Sequence, residues 1–344
     1  MTQPLVTLAD IEQRAREVLP HEVADFVAGG AGTELTVQRN RRALERLALE
    51  QRVLVDVREA ELAIDLLGMR LPSPIIVSPM GGLYRIHEQG ELELVRGGGR
   101  DGSLTCLTGV PGWTIEEIAL EASGPLLFQL YHYGDRDWVA NRLARVERAG
   151  YRGVCLTVDT AHYSRRERDL RNNFVARARR TVVEPPPPEP NYPQRLSWDD
   201  VRWLRDIVSL PLGLKGIMHP ADAQRAVDEG IDFVWVSNHG GRQLDDGRAT
   251  IDALPEIVHA VDGHVPVVID GGFARGSDVI KALALGATAV GIGRAVAWGL
   301  AADGAAGVAL TLGLLQLELR LNMGLAGLTS VHRLSPSLVR AVSY

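Results

Sequence analysis

The sequence predicts an α/β protein built on a (β/α)8, or TIM, barrel with an N-terminal helical segment. Three observations lead there. Eight short apolar runs recur after about residue 70, helix-patterned stretches separate them, and nearly every run ends in a polar, charged or glycine residue. Eight strand–helix repeats within 344 residues fit one closed barrel. A doubly wound sheet is the competing architecture, and the even spacing of the eight units favours closure.

The first 70 residues carry helical patterns at Leu8–Val18, His21–Ala28 and Thr33–Leu47, expected to cap the bottom or flank of the barrel. Strands are expected at Ile75–Ser78, Leu104–Leu107, Leu126–Leu130, Val154–Val158, Leu212–Lys215, Phe233–Ser237, Val265–Ile269 and Ala289–Gly293. Helical patterns between them include Arg136–Ala149, Asp222–Glu229 and Ser277–Leu285, each closed by a glycine: Gly150, Gly230 and Gly286. Glycine there is the usual helix stop, because it enters the left-handed region freely. Residues 71–300 therefore read as the barrel and 301–344 as a further long helix and tail, within one domain of 1–344. After the fourth strand, residues 175–196 pass from Arg-rich chain into Glu184-Pro185-Pro186-Pro187-Pro188-Glu189-Pro190, an extended polyproline-like segment. It is neither apolar nor amphipathic and offers no membrane anchor.

Composition narrows the function classes. Hydrophobic residues at 46% and charged residues at 23% fit a soluble globular chain. A net charge of -6 provides no basic field for nucleic acid. No apolar run of about 18 residues stands out, so no membrane span is expected. Met1-Thr2-Gln3-Pro4 does not begin a secretory signal, so a cytoplasmic location is expected. Cys106 and Cys155 lie inside apolar runs and read as small buried hydrophobes. Of 37 basic residues only Lys215 and Lys281 are lysines, so neither is routine surface filler.

Active sites of barrels gather at the carboxyl ends of the strands. There the chain places Pro79-Met80-Gly81-Gly82, Thr108, Gln129-Leu130-Tyr131, Thr157-Val158-Asp159-Thr160, Lys215-Gly216, Ser237-Asn238-His239, Asp270-Gly271-Gly272 and Gly293-Arg294. A purely structural barrel has no need of polar residues at every end. The sixth end continues as Ser237-Asn238-His239-Gly240-Gly241-Arg242-Gln243-Leu244-Asp245. Two glycines let backbone approach a ligand, the His can move a proton near neutrality, and the Arg fork suits a carboxylate or phosphate. The last two ends, with Arg275 and Arg294, form a phosphate cradle. Gln129, Thr108, Thr157 and Lys215 could meet the pyrimidine edge of a flavin, a cation there stabilising the reduced ring.

The nine-residue run from Ser237, with the TVDT, DGG and GR motifs in matching order, resembles the flavin-dependent 2-hydroxy-acid oxidases and dehydrogenases over roughly residues 5–330. The resemblance implies FMN as cofactor and a small 2-hydroxy acid as substrate. O2 or another acceptor would reoxidise the flavin, and a homo-oligomer, a tetramer, is expected. It implies that His239 is the base and Asp159 the carboxylate paired with it. Arg242 and Arg166 would grip the substrate carboxylate, and Tyr131 would bond the substrate. Lys215, Ser237, Thr157, Gln129 and Thr108 are implied as flavin-ring and ribityl contacts, with Pro79, Met80 and Gly81 beside the ring. Asp270, Gly271, Gly272, Gly293 and Arg294 are implied at the phosphate end, and the proline segment is implied to be a trimmed lid.

The chain departs from the family's pattern at several points. Phe26 stands where a carboxylate-binding Tyr is common, Met80-Gly81 replace Thr-Ala, Val110 replaces an aromatic residue, and Ala274 precedes Arg275 where the first arginine is usual. Loss of one neutral hydrogen bond at Phe26 costs about 0.5–1.5 kcal/mol. Gly81, Gly82 and Val110 together predict a wider pocket, suited to a bulky or aromatic, mandelate-like acid; Met80, Tyr84 or the proline segment refilling that space is the competing expectation. Three other readings stay open: a dehydrogenase with a non-oxygen acceptor, a flavin-free aldolase or isomerase barrel using Lys215, and a ligand binder without turnover. His87 reads as structural, and His132, His162, His219, His259 and His264 show no metal-ligand spacing, so no metal is expected. There is no nucleophile elbow.

Overall fold

A computed structural model describes residues 4–174 and 192–342. Eight parallel strands close on themselves in sequence order, the eighth pairing with the first. They are Ile75–Val77, Thr105–Leu107, Leu126–Leu130, Val154–Thr157, Leu212–Ile217, Phe233–Val236, Val267–Ile269 and Ala289–Ile292. Every expected strand is present, most of them a residue or two different in length. Each is mostly apolar because both its faces are buried, one in the barrel and one under helices, with Gln129, Thr157 and Lys215 among the buried polar exceptions.

Twelve helices are described: α1 (Leu8–Val18), α2 (His21–Ala28), α3 (Leu35–Glu45), α4 (Gly90–Gly98), α5 (Ile115–Glu121), α6 (Arg136–Arg148), α7 (Glu167–Arg171), α8 (Trp198–Ile207), α9 (Pro220–Asp228), α10 (Thr250–Val261), α11 (Gly276–Ala284) and α12 (Arg294–Leu325). Reciprocal caps start three of them: Thr7 with Asp10, Thr114 with Glu117 and Ser197 with Asp200. The N-terminal segment lies partly where the sequence placed it. Helix α1 flanks the barrel against α12, but the end of α2 sits at the carboxyl-terminal mouth, where Arg242 and Arg294 donate to its carbonyls. A hairpin that periodicity did not reveal, Ile64–Leu66 with Met69–Leu71, leads into the first strand at the opposite end. A second small pairing joins Leu47–Leu49 to Val339–Ala341.

By length and composition α12 could cross a membrane, with a mean hydropathy of 1.5. It is broken at Asp303 and Gly304, whose backbone leaves the helical region, and the Ala305 N–H is capped by Glu93 at 2.8 Å. Its buried side packs on α1, α4 and α11, so it serves as barrel wall. The Glu184–Pro190 segment lies outside the described residues.

Candidate active site

One cavity of about 540 Å³ opens at the carboxyl ends of the strands. Its wall includes Met80, Gly81, Gln129, Tyr131, Thr157, Lys215, His239, Arg242, Asp270, Gly272, Gly293 and Arg294, from seven different strand ends, together with Phe26 of α2. That volume lies in the range of sites enclosing a ligand of cofactor size.

His239 and Asp159 meet across the fourth and sixth strand ends. His239 Nδ1 faces Asp159 Oδ1 at 3.1 Å, leaving Nε2 for a ligand. His239 has φ +57, and Gly240 and Gly241 follow at +65 and +78. Three consecutive left-handed residues are what turn the imidazole into the cavity, and a non-glycine residue in that region carries strain. Burial alone would raise the Asp159 carboxyl, but the charge and hydrogen bond of His239 hold it below the ordinary carboxylate range.

Arg242 donates to the Phe26 carbonyl at 2.6 Å and the Gly29 carbonyl at 2.9 Å, and its guanidinium stacks 4.7 Å from the Phe26 ring. Phe26 therefore seats the arginine instead of offering a hydroxyl. Burial, and then the like charges of Arg166 and Arg294, push the Arg242 guanidinium well below its usual value. A cation cluster so destabilised is prepared for an anion. Arg166 is buried against Tyr163, outside the cavity wall itself but near enough to repel Arg242. The sequence reading missed Asp169, a buried carboxylate on α7 facing both arginines; its position three residues after Arg166 was the only available signal.

At the flavin-facing side Lys215 Nζ donates to Ser237 Oγ at 2.6 Å and lies 3.0 Å from Asp270 Oδ2, while Ser237 Oγ donates to Asp270 Oδ1 at 2.6 Å. Burial would lower the Lys215 ammonium, but Asp270 and Asp159 hold it above the ordinary lysine value. Gln129 Nε2 donates to Thr157 Oγ1 at 2.8 Å. Thr108 is buried beside Gly81, 3.6 Å from where a Cβ on that glycine would stand. Pro79 completes the wall next to them.

The phosphate end differs in detail from the expectation. Gly271, Gly272, Gly293 and Arg294 line the cavity, and no side chain caps α12, whose first N–H groups are left for an anion. Arg294 spends donors on the carbonyls of Val27, Gly29 and Gly240, and burial lowers its guanidinium to about 10. Arg275 lines the cavity as well, and its guanidinium pairs with Glu318 at 2.8 Å. Asp278 caps the N–H groups of Ala274 and Arg275 and so occupies that helix start. The donors that remain, with a buried cation deep in the cavity and an uncapped helix at its far end, fit FMN.

The comparisons agree with this geometry. A family model described as FMN-dependent dehydrogenase matches residues 15–341. The chain belongs to that family. It is 41% identical to an L-lactate oxidase of Nostoc sp. over 97% of this chain and 98% of the relative. It is 38% identical to the glycolate oxidase of Spinacia oleracea, covering 98% and 96% of the two chains. A crystal structure of mandelate oxidase with 3,3-difluoro-2-hydroxy-3-phenylpropionic acid superposes with a TM-score of 0.89 at 40% identity, covering 98% of each chain.

Three of the remaining histidines are tied to nearby backbone. His87 accepts from the Gln89 N–H, His219 caps α9, and His264 Nδ1 meets the Val261 carbonyl. Among the described residues no group of three or more His, Cys, Asp or Glu is arranged to hold a metal ion.

Proposed function

We propose that this chain oxidises a 2-hydroxy acid to the 2-oxo acid. The observation that carries the reading is the cation pair Arg242 and Arg166 beside a base held by Asp159, with Lys215 at the same cavity. Arg242 binds and orients the substrate carboxylate with the charge of Arg166 behind it, Tyr131 bonds the substrate, and His239 takes a proton at Nε2 while Asp159 balances the charge gained. When bound, FMN supplies the two-electron acceptor, which O2 returns to its oxidised form with release of hydrogen peroxide. Lys215 places positive charge where the acceptor gains electrons. Anaerobic mixing with glycolate, lactate and mandelate tests the reading directly: bleaching of the yellow protein by any of them supports it, and no bleaching by any overturns it.

The substrate preferred is a bulky or aromatic acid. Gly81 leaves one wall of the cavity bare, and solved relatives are mandelate oxidases, one of them with benzoyl-formic acid at 41% identity and a TM-score of 0.88. A cytoplasmic location and self-association complete the proposal. Two buried free cysteines fit a reducing compartment. Self-association is supported by Leu317, Leu321 and Leu325, exposed at four-residue spacing on α12, with Val53 and Leu54 also exposed. A peroxisomal (S)-2-hydroxy-acid oxidase of Oryza sativa is 39% identical, so localisation of a tagged chain is the deciding measurement.

A further inference from the structure

Lys215 and Trp235 are direct partners in the parallel register of the fifth and sixth strands, and both side chains point into the barrel. The ammonium stands 5.4 Å from the indole centroid, within the range of a cation–π contact. The two residues occupy different depths. Lys215 forms part of the cavity wall, whereas Trp235 is fully buried and is not among the wall residues. The ring therefore stands behind the ammonium and does not itself face a ligand. A glycine makes room for it: a Cβ on Gly291 would lie 2.9 Å from Trp235 Cζ2.

The choice of residue is informative. Trp235 Nε1 is buried without a hydrogen-bond partner among the described residues. An aliphatic side chain would fill this space without burying an unpaired donor. What the indole adds is an electron-rich face, presented to the Lys215 ammonium.

We propose that Trp235 is a positioning residue for Lys215: its face holds the ammonium back at the floor of the cavity and so lowers the reduction potential of the bound flavin. This rests on the FMN reading. Ser237 and Asp270 fix the ammonium from the side, and the indole fixes it from below. Loss of the ring removes the pull from below and leaves the ammonium, still held by Ser237 and Asp270, closer to the acceptor.

The test uses two readouts other than turnover. The first is the flavin midpoint potential of wild type, Trp235→Phe, Trp235→Leu, and protein in which all six tryptophans are replaced by mono- and difluorotryptophan. Fluorination drains the ring face with almost no change of shape. The expected result is a potential that rises stepwise with fluorination, rises least in Trp235→Phe and most in Trp235→Leu; a falling potential overturns the assignment. The second is the lysine ε-methylene resonance of flavin-stripped protein, where only Lys215 and Lys281 contribute and Lys281→Arg gives the assignment. The Lys215 signal is expected upfield of the Lys281 signal through the indole ring current, and Trp235→Phe is expected to shrink the difference. Equal potentials across the fluorinated series, or a Lys215 resonance at the position of Lys281, overturn the assignment. Should Trp235→Leu fail to fold, the fluorinated proteins and Trp235→Phe decide alone. Failure of wild type to retain FMN overturns the cofactor reading instead, and the lysine resonance still reports on the pair.

Discussion

Asp159 and His239 face one another at 3.1 Å across the fourth and sixth strand ends, 80 residues apart in sequence. Gly216 makes the approach possible: its φ is +112, and a Cβ there would come within 2.7 Å of Asp159 Cβ. With Asp159 accepting from Nδ1–H, the lone pair resides on Nε2, the nitrogen a substrate would meet. His239→Gln should keep flavin, since the ring and phosphate contacts are elsewhere, and lose about 10²–10⁴-fold in flavin reduction. Asp159→Asn should lose a comparable factor through the wrong tautomer. Stopped-flow reduction at saturating substrate checks both, and a wild-type rate in either assigns the base elsewhere.

Arg242 tests the carboxylate grip. Arg242→Met removes a charge-assisted contact worth about 1.5–3 kcal/mol, which lowers kcat/KM by roughly ten- to a hundred-fold. Because the same contact orients the reacting carbon, kcat and KM should both worsen. Arg242→Lys should recover little, as a point charge cannot reproduce the fork seated on Phe26. A pure KM effect would show that Arg242 binds without orienting.

His132 predicts an acid limb in stability unconnected with chemistry. It is 1% exposed, both ring nitrogens lack partners among the described residues, and the Tyr192 ring packs edge-on at 3.8 Å. Burial lowers its imidazolium from 6.5 to about 4, and Asp200 offsets only part of this. The folded state thus binds the proton less well than the unfolded chain. Its neutral form contributes fully above pH 6.5, and stability falls as pH drops from 6.5 towards 4, by about 3 kcal/mol at most. His132→Phe should flatten that limb of the Tm–pH curve, and an unchanged limb would trace the loss to other groups.

Leu321 probes assembly. It is 56% exposed in the middle of the α12 stripe. Leu321→Glu should leave flavin content unchanged and reduce the mass seen by light scattering, whereas a wild-type mass would place the contact on another face.

The barrel was legible because period and spacing are local: eight apolar runs and the glycines that stop the helices read directly from the chain. The strand-end chemistry was legible too, since barrel topology sends those residues to one mouth. What escaped were relationships made by long-range packing. Phe26 could be seen as a missing hydroxyl, but not as the seat of Arg242, 216 residues away. Arg275 lines the cavity as its position suggested, but its pairing with Glu318 on α12, 43 residues away, could not be read from the chain. Asn40 and Asn238 exchange amide hydrogen bonds at 3.0 and 2.8 Å, tying α3 to the base-bearing loop, and nothing in either local sequence announces it.

Substrate size follows from the same packing, with one revision. Gly81, Gly82 and Val110 were together expected to widen the pocket, but only Gly81 lines the cavity. Gly82 faces the Phe26 ring, where a Cβ would stand 3.6 Å away, and Val110 is 43% exposed outside the wall. Met80 shares the wall with Gly81 and is flexible enough to yield to a ring. Burying an aryl group there should favour mandelate over glycolate and lactate by roughly 1–3 kcal/mol in kcat/KM for flavin reduction. Gly81→Ala should erode that preference. Its Cβ would lie 3.2 Å from Val110 Cγ2, so the wall must give by only a few tenths of an ångström while the cavity narrows. Phe26→Tyr should help small acids most, by restoring a donor worth about 0.5–1.5 kcal/mol beside Arg242. Comparing reduction by the three acids in wild type and both variants settles the matter: a wild type that reacts faster and binds tighter with glycolate would mean that Met80 fills the space Gly81 leaves.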